Sequence, residues 1–186
     1  ALVEADGDMD KAIDVLRERG LAASVKKSGR TAADGVVYAY TDEAAKVSVL
    51  VEVNSETDFV AKNEKFQAFV ADVAKTIAAE DPADVEALEE KKLAGSDRTV
   101  KETVQDLVLA IGENMKIRRF VRTEGIVSSY IHMGGAVGVL VNFDASDDVA
   151  ATDDFKAMGK DVAMQIAAMS PSYLDPASVP ADVLEH

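Results

Sequence analysis

The sequence has no cysteine, no tryptophan, two histidines and four prolines in 186 residues. Without cysteine there is no disulfide framework and no thiol chemistry, which fits a reducing cytoplasm. Two histidines, His132 and the terminal His186, cannot build a histidine metal cluster, and neither a GxxxxGK[ST] loop nor a GxGxxG turn occurs. No apolar run approaches the roughly 20 residues of a membrane span, and no signal peptide is visible. Positive charge is scarce: 20 basic against 34 acidic side chains leave a net charge of −14. That field repels phosphate backbones and anionic lipid, so it argues against direct nucleic-acid or membrane partners.

What is present is a core and a repeat. Hydrophobic residues make up 48% of the chain and charged ones 29%, enough for one good-sized domain or two small ones. One unit is written twice. The first copy reads Gly35-Val-Val-Tyr-Ala-Tyr40, Val47-Ser-Val-Leu-Val51, then a helix from Phe66; the second reads Gly125-Ile-Val-Ser-Ser-Tyr130, Val137-Gly-Val-Leu-Val141, then a helix from Phe155. Gly35 precedes Phe66 by 31 residues and Gly125 precedes Phe155 by 30.

Periodicity predicts the elements. Residues 1–5 read as the end of a helix and 9–19 as a second, capped by Asp8 and closed by Gly20. Val25–Thr31 is a basic connector, either a solvated linker or a strap against a partner. Strands follow at 35–40 and 46–54, with a helix at 63–79 presenting Phe66, Phe69, Val70, Val73 and Ile77. Short and longer helices at 84–93 and 99–113 lead through Asn114, the expected stop, into a strand at 115–123. Strands at 125–131 and 137–143, a cap at Ser146 and a helix at 152–169 complete the second copy, and a further helix opens near the end. The fold class is α+β, with two small antiparallel sheets packed with helices. The divisions are a partial helical module at 1–24, a linker at 25–34, and core subdomains at 35–124 and 125–186. Both ends read as cuts in a longer chain.

The copies differ most usefully between strand and helix. The first has Thr57-Asp58-Phe59-Val60 where the second has Ser146-Asp147-Asp148-Val149. An acid in a first helical turn is explained by the macrodipole; a Phe is not. Phe59 either packs inward as a hydrophobic staple or points outward as a probe for a partner's pocket. The acid pairs Asp147-Asp148 and Asp153-Asp154 suggest a metal only weakly, since adjacent residues diverge and helix starts favour acids; no metal site is assigned. His132 beside Gly134-Gly135 is either incidental or functional. Ile111-Gly112 is either an ordinary helix end or a point of close approach.

Val51-Glu-Val-Asn-Ser-Glu-Thr-Asp-Phe-Val-Ala-Lys-Asn-Glu-Lys-Phe66 closely resembles the signature of the bacterial elongation factor Ts family. Asp6-Gly-Asp8, Ala12-Ile13, Leu16-Arg17, Ala32-Ala-Asp-Gly35, Ile111-Gly-Glu-Asn114 and Ile117-Arg-Arg119 fit the family in order, over essentially the whole chain. The resemblance implies a protein that is not an enzyme and needs no cofactor. It implies a cytoplasmic nucleotide exchange factor that binds the GTPase elongation factor Tu and releases its GDP during translation. It places the Mg²⁺-dislocation motif on Thr57, Asp58, Phe59 and Val60, and further partner contacts on His132, Ile111, Gly112 and Lys27. Residues 1–24 then resemble the remainder of a ubiquitin-associated-like module. The family's preceding segment, coiled coil and final strand have no counterpart here, so the second sheet is expected to lack an edge strand. A docking scaffold without exchange activity and a carboxylate-metal hydrolase are the competing classes.

Overall fold

A computed structural model describes residues 1–184; His186 lies outside them. The first part runs α1 (Met9–Lys27), β1 (Asp34–Asp42), β2 (Val47–Ser55), α2 (Asp58–Ala61), α3 (Glu64–Glu80), α4 (Val85–Glu89), α5 (Val100–Ile111) and β3 (Met115–Glu124). The second runs β4 (Ile126–His132), β5 (Val137–Phe143), α6 (Asp147–Ala150), α7 (Asp153–Met169), a 3₁₀ turn at Pro176–Ser178 and α8 (Ala181–Leu184). The class is α+β, as the alternation of patterns implies.

The first core follows from two periodicities meeting. In β2 the alternate residues Val47, Val49, Val51 and Val53 share one face and are buried. Against them α3 sets Phe66, Phe69, Val70, Val73 and Ile77, all buried. Each such side chain contributes about 1.5–3 kcal/mol by leaving water. β2 is the central strand of an antiparallel sheet ordered β1-β2-β3, with Tyr38 opposite Val51 and Val51 opposite Phe120.

The second unit is thinner. β4 and β5 pair antiparallel as a two-stranded sheet. α7 covers them, with Phe143 and Phe155 edge to face at 5.3 Å. This sheet lies on the first one. A Cβ on Gly138 would meet Val37 Cγ1 at 2.6 Å and Leu50 Cδ1 at 2.8 Å, so only glycine permits the approach. Val37 N–H donates to Gly135 O at 2.8 Å, tying the β4–β5 turn to β1.

Several expectations need correction. Residues 1–5 form a hydrogen-bonded turn, not a helix end: Ala5 N–H reaches Ala1 O, and Asp6 and Gly7 then take positive φ of 48° and 83°. α1 does not stop at Gly20 but continues to Lys27. Gly20 is buried where α1 crosses α5, its missing Cβ leaving 3.5 Å to Gln105 O. That packing outweighs the roughly 1 kcal/mol helix cost of glycine. The helix expected over 84–93 is confined to Val85–Glu89. α5 ends at Gly112, two residues before Asn114. Gly112 takes the left-handed conformation, φ 91°, and its N–H bonds Val108 O.

Candidate functional site

The corner after β2 is built from a very short helix. α2 has four residues, and its own contacts are too few to hold it. Val60 fixes it instead: the side chain enters the first core and is 5% exposed. Ser55 Oγ donates to Thr57 O at 3.0 Å, and Gln67 Nε2 donates to Ala61 O at 3.3 Å. Asn63 then caps α3 by accepting from Lys65 and Phe66 N–H.

Phe59 points the other way. Its ring is 82% exposed, which excludes the staple. Neighbours on a helix differ by 100°, so burying Val60 turns Phe59 toward solvent. Beside it Lys62 Nζ donates to Asp58 Oδ2 at 2.7 Å. The hydrogen bond from Lys62, then its charge, hold the Asp58 carboxyl below its ordinary value, and the Lys62 ammonium is correspondingly raised.

Thr57 sits at the N-cap of α2 in extended conformation but makes no side-chain cap, contrary to expectation. Its hydroxyl donates to Glu113 Oε1 at 2.7 Å, and its N–H donates to Glu113 Oε2 at 3.0 Å. The reverse bond runs alongside: Asn114 N–H donates to Glu56 Oε1 at 2.6 Å. Asn114 Nδ2 donates to Arg30 O at 2.7 Å, and Lys27 Nζ donates to Val108 O at 3.4 Å. Lys27 thus sits at the carbonyl end of α5, where a cation is favoured. The ends of α1, β2 and α5 meet in one knot.

That knot gathers most of the residues singled out in the sequence. Thr57, Asp58, Phe59, Ile111, Gly112 and Lys27 belong to it, with Ile111 lining an open groove beside Asn63, Glu64 and Lys65. His132 is separate in the chain and ends β4, exposed, its Nδ1 2.9 Å from Tyr130 Oη. Its turn nevertheless lies against β1, the strand on which α2 also packs. Glu56, Glu113 and Asn114 were not singled out. One hint existed: the third helical position after Thr57 is Val60, so no Glu or Gln could complete a capping box. Thr99 has Glu102 there and forms one.

The second copy's corner differs in each of these respects. Val149 is 47% exposed, Asp148 stands where Phe59 does, and its carboxyl is held low first by the Ser146 hydroxyl. Asp147 and Asp153 do not converge on a metal: Asp147 pairs with Lys46 at 2.6 Å, and Asp153 and Asp154 lie in the first turn of α7.

Residues 56–186 match a family model described as Elongation factor TS, a stretch that opens at this corner. The chain belongs to the elongation factor Ts family. Over its whole length it is 49% identical to elongation factor Ts of Trichlorobacter lovleyi, and 47% identical to those of Clostridium novyi and Symbiobacterium thermophilum. It spans 61%, 61% and 60% of those three proteins. Elongation factor Ts membership places it among translation elongation factors. Among the described residues no helix is long and apolar enough to cross a membrane.

Proposed function

We propose that this chain is a guanine nucleotide exchange factor that binds the GTPase elongation factor Tu in the cytoplasm and speeds release of its GDP. The reading is carried by Phe59, an aromatic ring left 82% exposed on a corner whose next residue is buried. A fixed ring can be buried on a partner with little further loss of freedom. Its burial contributes about 1.5–3 kcal/mol.

The ring is the wedge and Asp58 the charge beside it. A GTPase holds GDP through phosphate-cradling amides and a Mg²⁺ ion that demands near-ideal octahedral coordination. Phe59 inserted between GTPase elements shifts that cradle, and the Asp58 carboxylate disturbs the groups around the ion. Nanomolar nucleotide binding amounts to about 12 kcal/mol, far more than one ring supplies. The remainder is assigned to a wider interface including Thr57, Val60, Lys27, Ile111, Gly112 and His132. Coupling is reciprocal: a factor that loosens the nucleotide is itself loosened by it, and so leaves when fresh nucleotide binds. No covalent step and no cofactor is assigned to the chain.

Stopped-flow release of a fluorescent GDP analogue from purified elongation factor Tu tests this. The chain is expected to accelerate release, and Phe59→Ala to remove most of the acceleration. No acceleration by the unmodified chain would sink the exchange reading; full acceleration by Phe59→Ala would sink the wedge.

A further inference from the structure

We propose that Glu113 is the positioning residue for the Asp58–Phe59 corner, an inference that rests on the exchange reading above. α2 is too short to orient itself, and Thr57 provides no cap. Glu113 supplies the missing constraint from 56 residues away, accepting both the N–H and the hydroxyl of Thr57 at 3.0 and 2.7 Å. Two bonds from one carboxylate to one residue fix rotation as well as distance. Because Thr57 immediately precedes Asp58 and Phe59, its φ and ψ of −132° and 156° set the direction of the ring.

The constraint is reciprocal. Glu56, just before Thr57, accepts the N–H of Asn114, just after Glu113, at 2.6 Å. Each segment lends a carboxylate to the other's backbone, so the corner and the end of α5 form one unit. Ile111 and Gly112 directly precede Glu113 in the chain, so the same residue registers the ring against that second contact. The second copy supports this. Its corner carries no ring, Ser146 turns its hydroxyl to Asp148, and Asp147 pairs with Lys46. The corner without a wedge has no such clamp.

A residue of this kind changes how well the bound factor works more than whether it folds. Glu113→Ala is expected to lower the maximal rate of GDP release about tenfold, the scale of one lost hydrogen bond to a charged group. Glu113→Gln keeps an oxygen for the Thr57 N–H and an amide for its hydroxyl, and restores most of the rate. Thr57→Val, which keeps the N–H bond, gives an intermediate loss and serves if Glu113→Ala does not fold. Amide hydrogen exchange at Thr57, read without the GTPase, rises in Glu113→Ala. The deciding comparison repeats Glu113→Ala in the Phe59→Ala background, where it adds no further slowing. An undiminished maximal rate in Glu113→Ala that is folded by circular dichroism, or an equal loss in both backgrounds, overturns the positioning role alone. Full release by Phe59→Ala itself overturns the wedge and this inference with it.

Discussion

Asp58 and Asp147 occupy the same step of the repeat and hold different partners: Asp58 takes Lys62 of its own turn at 2.7 Å, Asp147 takes Lys46 of the other copy at 2.6 Å. The first corner is anchored by an apolar side chain and keeps its acid at the surface beside Phe59. The second, with Val149 half exposed, uses its acid to reach back to the first hairpin. One scaffold has thus been put to an outward use and an inward one.

The inward contact is expected to be weak. Lys46 and Asp147 are 53% and 74% exposed, and exposed ion pairs contribute about 0–1 kcal/mol. Lys46→Met is therefore expected to cost no more than about 1 kcal/mol in urea unfolding, with the difference disappearing in high salt. A larger, salt-independent loss would mean that the pair organises the junction of the two sheets.

The Asp58–Lys62 pair makes a pH prediction with a definite sign. The Asp58 carboxyl is lowered from 3.8, first by the Lys62 hydrogen bond. A lowered acid contributes stability that is present above its unfolded value and is lost as pH falls through the folded one. The window therefore lies at and below 3.8. An NMR titration is expected to place the Asp58 midpoint below that value, and Lys62→Met to move it up. No movement would show that the ion pair does not persist in solution.

Phe59→Asp writes the second copy's residue into the first. Stability is expected to stay within about 0.5 kcal/mol, since the ring is exposed and an acid suits a helix start. Acceleration of GDP release is expected to be lost. Retained acceleration would remove the ring from the mechanism, and a collapse in melting temperature would mean that the ring packs in solution.

Gly35 is expected to be intolerant. It has φ 136°, and an added Cβ would overlap the Val53 carbonyl oxygen and lie 2.6 Å from Asn54 Cα. Backbone cannot move aside as a side-chain tip can, so Gly35→Ala is expected to cost about 3 kcal/mol or more. The midpoint of urea unfolding checks it, at unchanged slope. A loss under 1 kcal/mol would mean that the β1–β2 pair has room to shift.

Much of the fold was legible because it is local. The alternation in Val47–Val53 and the 3.6-residue stripe from Phe66 to Ile77 need no distant information, and both faces are buried as read. The errors fall where a distant element decided. Gly20 reads as a helix end until α5 lies across it, and Thr57 reads as a cap until Glu113 takes its hydroxyl. The motif at 57–60 could be found in the sequence, but Phe59 pointed inward or outward equally well there.

By itself the sequence determined the strands, the long helices, the duplication and the family, because periodicity and motif are properties of neighbouring residues. The tertiary structure decided which side of the corner faces water. Val60 had to meet a core assembled from β1, β2 and α3, and Glu113 had to arrive from the end of α5. Those are contacts between segments more than fifty residues apart, and one linear pattern does not contain them.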